Sequence, residues 1–489
     1  MKYISTRGGQ EVNSSSAIIQ GIAEDKGLFV PESFPELAIP LDKLAHMNYR
    51  EVAKEIIGSF FDDFTEEEIE ECVNNAYLNN FDAEDVVPVV SCGDAFFLEL
   101  YHGRTSAFKD MALSILPYLL TTAAKKNNEE KKICILTATS GDTGKAALEG
   151  FSDVPGTEII VFYPEEGVSE VQKKQMITQA GDNTHVFAIK GNFDDAQTGV
   201  KRVFNDGGFL DELGKRGYRL SSANSINIGR LIPQVVYYVY GYGRLIERGV
   251  ISPGDSINVV VPTGNFGNIL AAYYAGRIGI PINKYICASN ENKVLTDFLN
   301  SGCYDARREF HITNSPSMDI LISSNLERLL YHLSEDHVEI ARLMKELEEN
   351  KCYQVSDEVR RGLSCFYGGY ADIIDTNKTI GEMYKTKGYL LDTHTAVAYK
   401  VYRDYLKSTC DARPTLIAAT ASPFKFSGSV SKSLGLEDCD SEFEYLNKLS
   451  EETGIIIPMG LKDLDKKEVH HSDVIRVADM EKAILDCLE

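Results

Sequence analysis

The sequence lacks the cysteine patterns that build disulfide frameworks or metal sites. Its ten cysteines are scattered along 489 residues, with no CxxC pair and no metal-ligand spacing. Cysteines used in this way are typical of reduced thiols in an intracellular protein. The sequence therefore predicts no metal site, and we expect a cytoplasmic protein.

Long hydrophobic runs are also missing. The longest apolar stretch is interrupted by Pro117 and is too short to span a bilayer. Residues 1–7 contain no apolar signal region, and no internal repeat is visible. We expect no targeting segment, no transmembrane helix and no membrane partner.

The chain is poor in positive charge. It has 50 Lys and Arg residues against 73 Asp and Glu residues, which gives a net charge of −23. A surface of this charge repels phosphate backbones and anionic lipids, so we expect no nucleic-acid partner. A small anionic ligand would need a pocket whose own cations and backbone N–H groups oppose the overall field.

What is present is an ordinary globular composition, 43% hydrophobic and 25% charged. A chain of 489 residues exceeds the usual size of a single core, which predicts two or three units. Residues 1–95 mix loop signals with helical patterns, notably from Tyr49 to Phe61. Thr65 followed by Glu68 predicts a capping box at the start of a second helix. We predict an N-terminal cap domain over residues 1–95.

From Lys132 onward, short runs of valine and isoleucine alternate with helical stretches. This pattern is typical of an α/β fold whose mostly parallel strands are covered on both faces, with ligands at the carboxyl ends of the strands. We predict a first α/β lobe over residues 96–250 and a second over residues 251–489, with a helical insertion over about 301–379. Strands are predicted at 133–136, 159–162, 186–189, 257–261, 285–288 and 416–419, and insertion helices at 318–333 and 336–347.

One lysine stands in a setting that favours a reactive amine. Lys109 lies between Phe108 and Asp110 in YHGRTSAFKDM (101–111), ahead of an apolar run that reaches Leu120. This pattern predicts a loop-to-helix junction with the amine held against an apolar wall. Burial disfavours an ammonium group, so such a lysine can lose its proton near neutral pH and attack a carbonyl carbon, as an imine with pyridoxal phosphate requires. The alternative for these residues alone is a solvated lysine in the first turn of a helix.

Two glycine-containing turns follow predicted strands. The first lies in TATSGDTGKAA (137–147), and we call its residues 137–143 the hydroxyl loop. The second lies in VPTGNFGN (261–268), and we call its residues 263–268 the glycine turn. Free N–H groups at such turns suit a carboxylate or a phosphate. The Walker GxxxxGK[ST] and Rossmann GxGxxG patterns are both absent, and ordinary turn chemistry is the alternative.

Two further segments carry polar groups suited to ligands. The arginine segment, residues 222–230 (SANSINIGR), places asparagines, a serine and an arginine where they could converge on a tetrahedral dianion. At the end of the last predicted strand, Thr420 offers a hydroxyl that could hydrogen-bond a heterocyclic nitrogen without forcing its protonation. Taken alone, these segments are also compatible with a polar loop and a strand-terminating threonine.

Together these segments resemble the threonine synthase family of the pyridoxal-phosphate dependent fold type II group. The resemblance implies two open twisted-sheet lobes of the tryptophan synthase β kind, and the chain length and helical insertion are similar to those of the longer bacterial and fungal branch. The stretches that carry it are QGIAEDKGLFVPE (20–32), HGRTSAFKD (102–110), TATSGDTGKAA (137–147), GNFDDAQ (191–197), SANSINIGRLIPQ (222–234), VPTGNFGN (261–268), SPSMDILISSNLER (315–328), DTHTAVA (392–398) and TASPFKF (420–426).

The resemblance implies roles for individual residues, with Lys109 as the catalytic residue that bonds to the cofactor. The other implied cofactor-binding residues are Phe108, Asp142, Gly264, Asn265, Phe266, Gly267, Asn268 and Thr420. The implied substrate-binding residues are Thr139, Ser140, Gly141, Thr143, Asn224, Ser225, Arg230 and Arg104. Arg104 stands where the family's common lysine motif has proline, so it could bind an anion, and Lys425 could help to offset the repulsion between the anions in the pocket. Asp142 stands where related enzymes often have an asparagine near the cofactor hydroxyl.

The implied substrate is O-phospho-L-homoserine, and the implied reaction yields L-threonine and phosphate by γ-elimination and addition of water at Cβ. Such a protein would be a carbon–oxygen lyase of threonine biosynthesis, and we expect a monomer or a weak homodimer. One alternative is a pyridoxal-phosphate dependent phospho-lyase that releases 2-oxobutyrate and phosphate from the same substrate. Another is a catalytically silent metabolite-binding protein. Serine or threonine dehydratases of the same fold would not need the arginine segment.

Overall fold

The runs of valine and isoleucine form two separate sheets in the computed structural model, which describes residues 1–139 and 141–488. All six predicted strands are confirmed, and each lies within a strand of one of these sheets. The five-stranded sheet is parallel, in the order Val474–Ile475, Thr184–Ile189, Thr157–Pro164, Lys132–Ala138, Tyr218–Ser221. The six-stranded sheet has the order Phe366–Tyr370, Ile282–Ser289, Ile257–Pro262, Thr415–Ala419, Ala95–Glu99, Val89–Cys92, and its last pair is antiparallel.

Helices cover both sheets, because the crossovers between parallel strands place helices on their faces. Between residues 110 and 247 the helices are Asp110–Leu113, Leu116–Lys126, Asp142–Phe151, Glu170–Ile177, Phe193–Asn205, Gly207–Lys215 and the long helix Ile228–Glu247. Outside the insertion, those that follow are Gly267–Ile278, Val294–Ser301, Thr393–Thr409, Ser427–Ser433, Glu442–Thr453 and Met480–Cys487. The central strands are buried along their whole length, which explains why their sequences carry so few polar residues.

The N-terminal part combines a small sheet with three helices. Its antiparallel strands are Lys2–Ser5, Glu11–Asn13 and Phe29–Pro31, and its helices are Ser14–Gln20, Tyr49–Phe60 and Glu66–Tyr77. The predicted capping box is confirmed: Thr65 accepts a hydrogen bond from the Glu68 N–H, and the Glu68 side chain accepts one from the Thr65 N–H. The helix Tyr49–Phe60 packs against the long helix Ile228–Glu247, so this unit shares a core with the α/β body.

The insertion is helical but not wholly so. Its helices are Leu326–Ser334, His337–Asn350, Asp357–Gly362 and Ile373–Lys387, and a short antiparallel pair joins Cys303–Asp305 to Cys352–Gln354. The strand Phe366–Tyr370, which was not predicted, returns to the six-stranded sheet. The predicted helix 336–347 is confirmed as His337–Asn350, with Asp336 as its N-cap.

The predicted helix 318–333 is wrong over its first half, because the helix begins only at Leu326. The chain before it is irregular and is held by the Asp319 carboxylate. This group accepts hydrogen bonds from the Asn290 and Asn292 side chains at 2.7 and 3.0 Å, and from the Thr313 N–H and hydroxyl at 3.0 and 2.8 Å. Such side-chain bonds compete with helical ones, and the result is an ordered loop that can line a cleft.

Two strand pairings cross the predicted domain boundaries. The strand Ala95–Glu99, at the start of the predicted first lobe, pairs with Thr415–Ala419 in the six-stranded sheet. The tail strand Val474–Ile475 pairs with Thr184–Ile189 in the five-stranded sheet. The division into residues 1–95, 96–250 and 251–489 stays a prediction. Within the described ranges, no helix combines the length and the apolar character needed to cross a membrane.

Close helix packing gives a test of this architecture. A Cβ atom at Gly243, in the long helix, would lie 2.6 Å from the Leu44 carbonyl oxygen, so Gly243→Ala must push the N-terminal unit away. Overpacking of this kind costs about 1–3 kcal/mol, and we expect a lower midpoint of urea denaturation. Gly58→Ala is the matched control, because nothing lies within 4 Å of its added Cβ. Alanine is favoured over glycine inside a helix, so this change should raise the free energy of unfolding by about 0.5–1 kcal/mol. Equal urea midpoints for Gly243→Ala and Gly58→Ala would contradict the close contact between the long helix and the N-terminal unit.

Candidate active site

The predicted lysine lies at a loop-to-helix junction, as the sequence indicates. Lys109 directly precedes the helix Asp110–Leu113, and the loop before it turns at Ser106 with a left-handed φ of 59°. The Phe108 N–H donates to the Thr420 carbonyl oxygen at 2.8 Å, and the Ser422 N–H donates to the Ser106 carbonyl oxygen at 3.0 Å. The lysine is therefore fastened to the carboxyl end of the strand Thr415–Ala419.

The amine of Lys109 is buried beside polar partners. Its side chain is 11% exposed, and Nζ lies 3.4 Å from Asp142 Oδ2, 3.3 Å from Ser317 Oγ and 5.1 Å from the centroid of the Phe108 ring. Burial lowers the pKa of Lys109; Asp142 opposes this, while the positive charges of Lys425 and Arg230 lower the pKa further. The balance favours a neutral, nucleophilic amine.

Asp142 is ionised although it is buried. Burial alone would raise the pKa of this carboxyl, but Lys425 and Lys109 together hold it well below its usual range. Lys425 Nζ lies 2.9 Å from Oδ1, and the Gln172 side chain donates to the same oxygen at 2.8 Å. The Ser317 hydroxyl donates to Oδ2 at 3.2 Å. The carboxylate thus holds the groups around the lysine in fixed positions.

The glycine turn forms an anion cradle at the start of the helix Gly267–Ile278. A Cβ at Gly264 would lie 2.5 Å from the Ser317 carbonyl oxygen, so only glycine allows this approach. Phe266 precedes the helix in a left-handed conformation, with φ of 61°. The first N–H groups of a helix have no partner within the helix, and they favour a phosphate. The Nδ2 atom of Asn268 is buried and has no hydrogen-bond partner among the described residues.

A second anion site lies at the start of the long helix. Arg230 is 3% exposed, its Nη1 atom donates to the Ala223 carbonyl oxygen at 2.8 Å, and its buried Nε atom has no partner within the described ranges. Burial lowers the pKa of Arg230 to about 10, and no acidic group among the described residues offsets this effect. A buried cation without a carboxylate partner suits an anion that arrives from the cleft.

One buried arginine ties the two anion sites to the N-terminal unit. Arg328 Nε donates to the Phe29 carbonyl oxygen at 2.8 Å, and its Nη atoms donate to the Asn325 side chain and the Ile226 carbonyl oxygen. Asn325 donates in turn to the Asn265 carbonyl oxygen, from its N–H at 3.1 Å and from its side chain at 3.0 Å. The glycine turn and the arginine segment therefore share one brace.

These groups surround one cleft of about 580 Å³, at the carboxyl ends of strands from both sheets. The predicted site residues that line it are Phe108, Lys109, Thr139, Gly141, Asp142, Thr143, Asn224, Ser225, Arg230, Gly264, Asn265, Phe266, Gly267, Asn268 and Thr420. Thr139 has a structural part, because its Oγ1 atom accepts hydrogen bonds from the Gly141 and Gly144 N–H groups, both at 3.0 Å. Ser140, which was also predicted, lies outside the described residues.

The prediction that Arg104 binds substrate needs correction, and Lys425 has partners of its own. Arg104 does not line the cleft; its Nη1 atom pairs with Glu149 at 3.2 Å and its side chain is 48% exposed. Lys425 is near the site, but its amine is occupied by Asp142 and by the Thr105 carbonyl oxygen, at 2.9 and 2.8 Å. Both cations are paired with carboxylates, so the anion chemistry of the cleft is left to Arg230, to the exposed Lys201 that also lines it, and to backbone N–H groups.

The sequence did not identify every group in the cleft. Ser317 is one of these groups; it lies in the short 3-10 helix Pro316–Met318, and its contact with Lys109 spans 208 residues. His394 is another; its Nε2 atom accepts the Ser317 N–H at 3.2 Å, and its Nδ1 atom lies 3.0 Å from Asp392 Oδ1. The aspartate caps the helix Thr393–Thr409, so an Asp-x-His pattern was the available signal. The cleft is also lined by Gln172, Phe193, Gln197, Lys201, Gln234 and Asp319.

The donor set fits pyridoxal phosphate. A buried amine with a lowered pKa stands at one end of the cleft, and a helix start with an unpaired buried amide donor forms a cradle for a phosphate. Arg230 remains beside these groups as a second site for an anion.

Known families match the chain over most of its length. The description Threonine synthase N terminus matches residues 2–77, Pyridoxal-phosphate dependent enzyme matches residues 88–358, and Threonine synthase, C-terminal matches residues 395–484. The middle match contains the lysine, the hydroxyl loop, the arginine segment and the glycine turn.

Curated relatives agree with these families. The chain is 41% identical to human threonine synthase-like 1 over 438 residues, which are 87% of this chain and 58% of the relative, so it spans less than two thirds of that protein. It is 37% identical to threonine synthase of Pseudomonas aeruginosa over 440 residues, covering 88% of this chain and 90% of the relative. Identity to the Saccharomyces cerevisiae threonine synthase is 33% over 465 residues, with coverage of 88% and 89%.

Solved structures share the whole fold. A PLP-bound threonine synthase from Brucella melitensis superposes with a TM-score of 0.88 at 34% identity, with full coverage of both chains. The yeast threonine synthase gives a TM-score of 0.88 at 31% identity, covering 100% of this chain and 98% of the other. These matches confirm the predicted fold class and the predicted cofactor. With this fold, this buried lysine and these relatives, the chain belongs to the threonine synthase family of pyridoxal-phosphate dependent enzymes.

Proposed function

We propose that this protein is a threonine synthase, which converts O-phospho-L-homoserine and water to L-threonine and phosphate. The observation that carries the proposal is the buried guanidinium of Arg230, which faces the cleft without an acidic partner among the described residues. The glycine turn serves the cofactor's phosphate, so Arg230 is left for a second phosphate group. A substrate with a phosphate of its own supplies that group.

Substrate contacts divide between two segments. The side chains of Asn224 and Ser225 line the cleft together with Arg230, and we assign all three to the substrate phosphate. The hydroxyl loop is assigned to the substrate carboxylate, with the Thr143 hydroxyl as a donor and Thr139 as the brace of the loop. Held at both ends, the substrate would place its reacting carbons near the Lys109 amine.

Lys109 Nζ is the group that we assign to proton transfer. When bound, pyridoxal phosphate supplies an electron sink for negative charge at the carbon that loses a proton. Burial lowers the pKa of this amine, which favours the neutral form that can accept the proton, and Ser317 Oγ and Asp142 keep it within reach. Arg230 stabilises the negative charge that grows on the departing phosphate. The chain around Ser317 and Asp319 forms one wall of the cleft.

The products distinguish this function from its nearest alternative. The purified protein with pyridoxal phosphate is incubated with O-phospho-L-homoserine, and phosphate, threonine and 2-oxobutyrate are measured together. We expect phosphate and threonine in equal amounts. Release of phosphate with 2-oxobutyrate in place of threonine would identify a phospho-lyase, and the absence of any phosphate release would refute both activities.

Arg230→Ala should impair catalysis strongly. The change removes a preorganised cation from the phosphate that leaves, which costs about 2–4 kcal/mol of transition-state stabilisation, or roughly a 30- to 1,000-fold drop in kcat/KM. Arg104→Ala is the matched control, since Arg104 pairs with Glu149 outside the cleft, and its kcat/KM should stay within a few-fold of the parent. If the two variants behaved alike, the phosphate assignment would be wrong.

Lys109→Ala should abolish both the covalent attachment of the cofactor and turnover. The expected result is an absorbance spectrum of free pyridoxal phosphate without the imine band, because the one other lysine among the described residues that line the cleft, Lys201, is exposed. Circular dichroism of the variant checks that the fold is kept. A variant that retained the imine band would show that another lysine bonds to the cofactor.

A further inference from the structure

A single buried carboxylate, that of Asp142, faces two lysine amines. Its Oδ1 atom lies 2.9 Å from Lys425 Nζ and its Oδ2 atom lies 3.4 Å from Lys109 Nζ. The side chains of Lys425, Asp142 and Lys109 are 0%, 6% and 11% exposed, so water screens these charges very little. Because the distance to Lys425 is shorter, Asp142 forms its stronger ion pair with Lys425.

The two amines differ in what else surrounds them. Lys425 also donates to the Thr105 carbonyl oxygen at 2.8 Å, and two acceptors stabilise its ammonium form. Among the described residues, the Lys109 amine has the longer contact with Asp142, a hydroxyl contact with Ser317 and the Phe108 ring 5.1 Å away. The site therefore keeps one lysine charged and leaves the other free to lose its proton.

Three further titratable side chains lie near Asp142 and the Lys109 amine. Arg230 adds positive charge near Lys109 from the long helix. Asp110 is buried behind the lysine loop, where Thr105 donates to both of its carboxylate oxygens. His394 accepts the Ser317 N–H through Nε2, and its Nδ1 atom lies 3.0 Å from Asp392 Oδ1. Asp142 is therefore the negative charge nearest to the Lys109 amine, and Lys425 is the group that balances it.

We propose that Lys425 is a positioning residue that neutralises Asp142 and thereby keeps the amine of Lys109 unprotonated and reactive at neutral pH. The proposal rests on Lys109 as the lysine that bonds to the cofactor. Without Lys425, the whole charge of Asp142 would act on Lys109 and hold it as an ammonium group. A buried cation next to a lysine disfavours its ammonium form, and this is a known way to activate an amine.

The test follows capture of pyridoxal phosphate by the cofactor-free protein. The initial rate of imine formation is measured by absorbance across a pH series, without substrate, and the midpoint of its rise reports the loss of the Lys109 proton. Lys425→Met should raise this midpoint by about one unit or more, because an uncompensated carboxylate favours the ammonium form. Asp142→Asn should lower it, because Lys425 then repels the ammonium.

The double variant Asp142→Asn with Lys425→Met separates this effect from mere structural damage. It removes both charges, and its midpoint should return to within about half a unit of the parent. Lys145→Met is the matched control: Lys145 is a buried lysine that pairs with Glu149 at 3.0 Å on the helix of Asp142, and its loss should leave the midpoint unchanged. If Lys425→Met does not fold, the comparison of Asp142→Asn with the double variant still measures the effect of Lys425. The double variant should then have the higher midpoint, because the positive charge that repels the Lys109 ammonium is gone.

A midpoint that stays unchanged or falls in Lys425→Met would overturn the proposal, as would a double variant that keeps the full shift of Lys425→Met. Since the assay contains no substrate, its outcome is independent of whether threonine is the product. Failure of the proposed function would appear in the product assay alone.

Discussion

The site depends on holding one lysine amine buried, with a lowered pKa, and fixed in place between two sheets. Burial lowers the pKa, because an ammonium group is poorly stabilised away from water. Main-chain hydrogen bonds fix the position, since they fasten Phe108 and Ser106 to the end of the strand Thr415–Ala419. The nucleophile is therefore positioned by the six-stranded sheet, while the hydroxyl loop and the arginine segment come from chain that follows strands of the five-stranded sheet.

The same cleft must accept anions in a protein whose net charge is −23. It does so with few cations. Arg230 is buried without a carboxylate partner in the described chain, and the glycine turn presents helix N–H groups and the Asn268 amide. Arg328 donates its hydrogen bonds to carbonyl and amide oxygens, and it fixes the arginine segment relative to the glycine turn. The cleft can therefore attract anions with fixed N–H dipoles and the Arg230 guanidinium, although the protein as a whole is acidic.

The sequence predicted the parts of the molecule that local pattern controls. Strands such as Ile257–Pro262 were found because burial on both faces requires continuous apolar residues, and the loops at their ends were found because glycine and hydroxyl residues mark turns. Contacts made across hundreds of residues leave no local pattern. Ser317 was missed for this reason, and Arg104 was misplaced because its ion pair with Glu149 cannot be read from a motif. The irregular course of residues 319–325 was hidden by apolar spacing that resembled a helix.

The central claim is that the amine of Lys109 bonds to the cofactor. The most direct measurement is borohydride reduction of the protein with bound pyridoxal phosphate, followed by proteolysis and mass spectrometry of the labelled peptide. We expect the pyridoxyl group on Lys109 and no comparable label elsewhere. A label carried mainly by Lys425, Lys201 or any other lysine would contradict this account of the site.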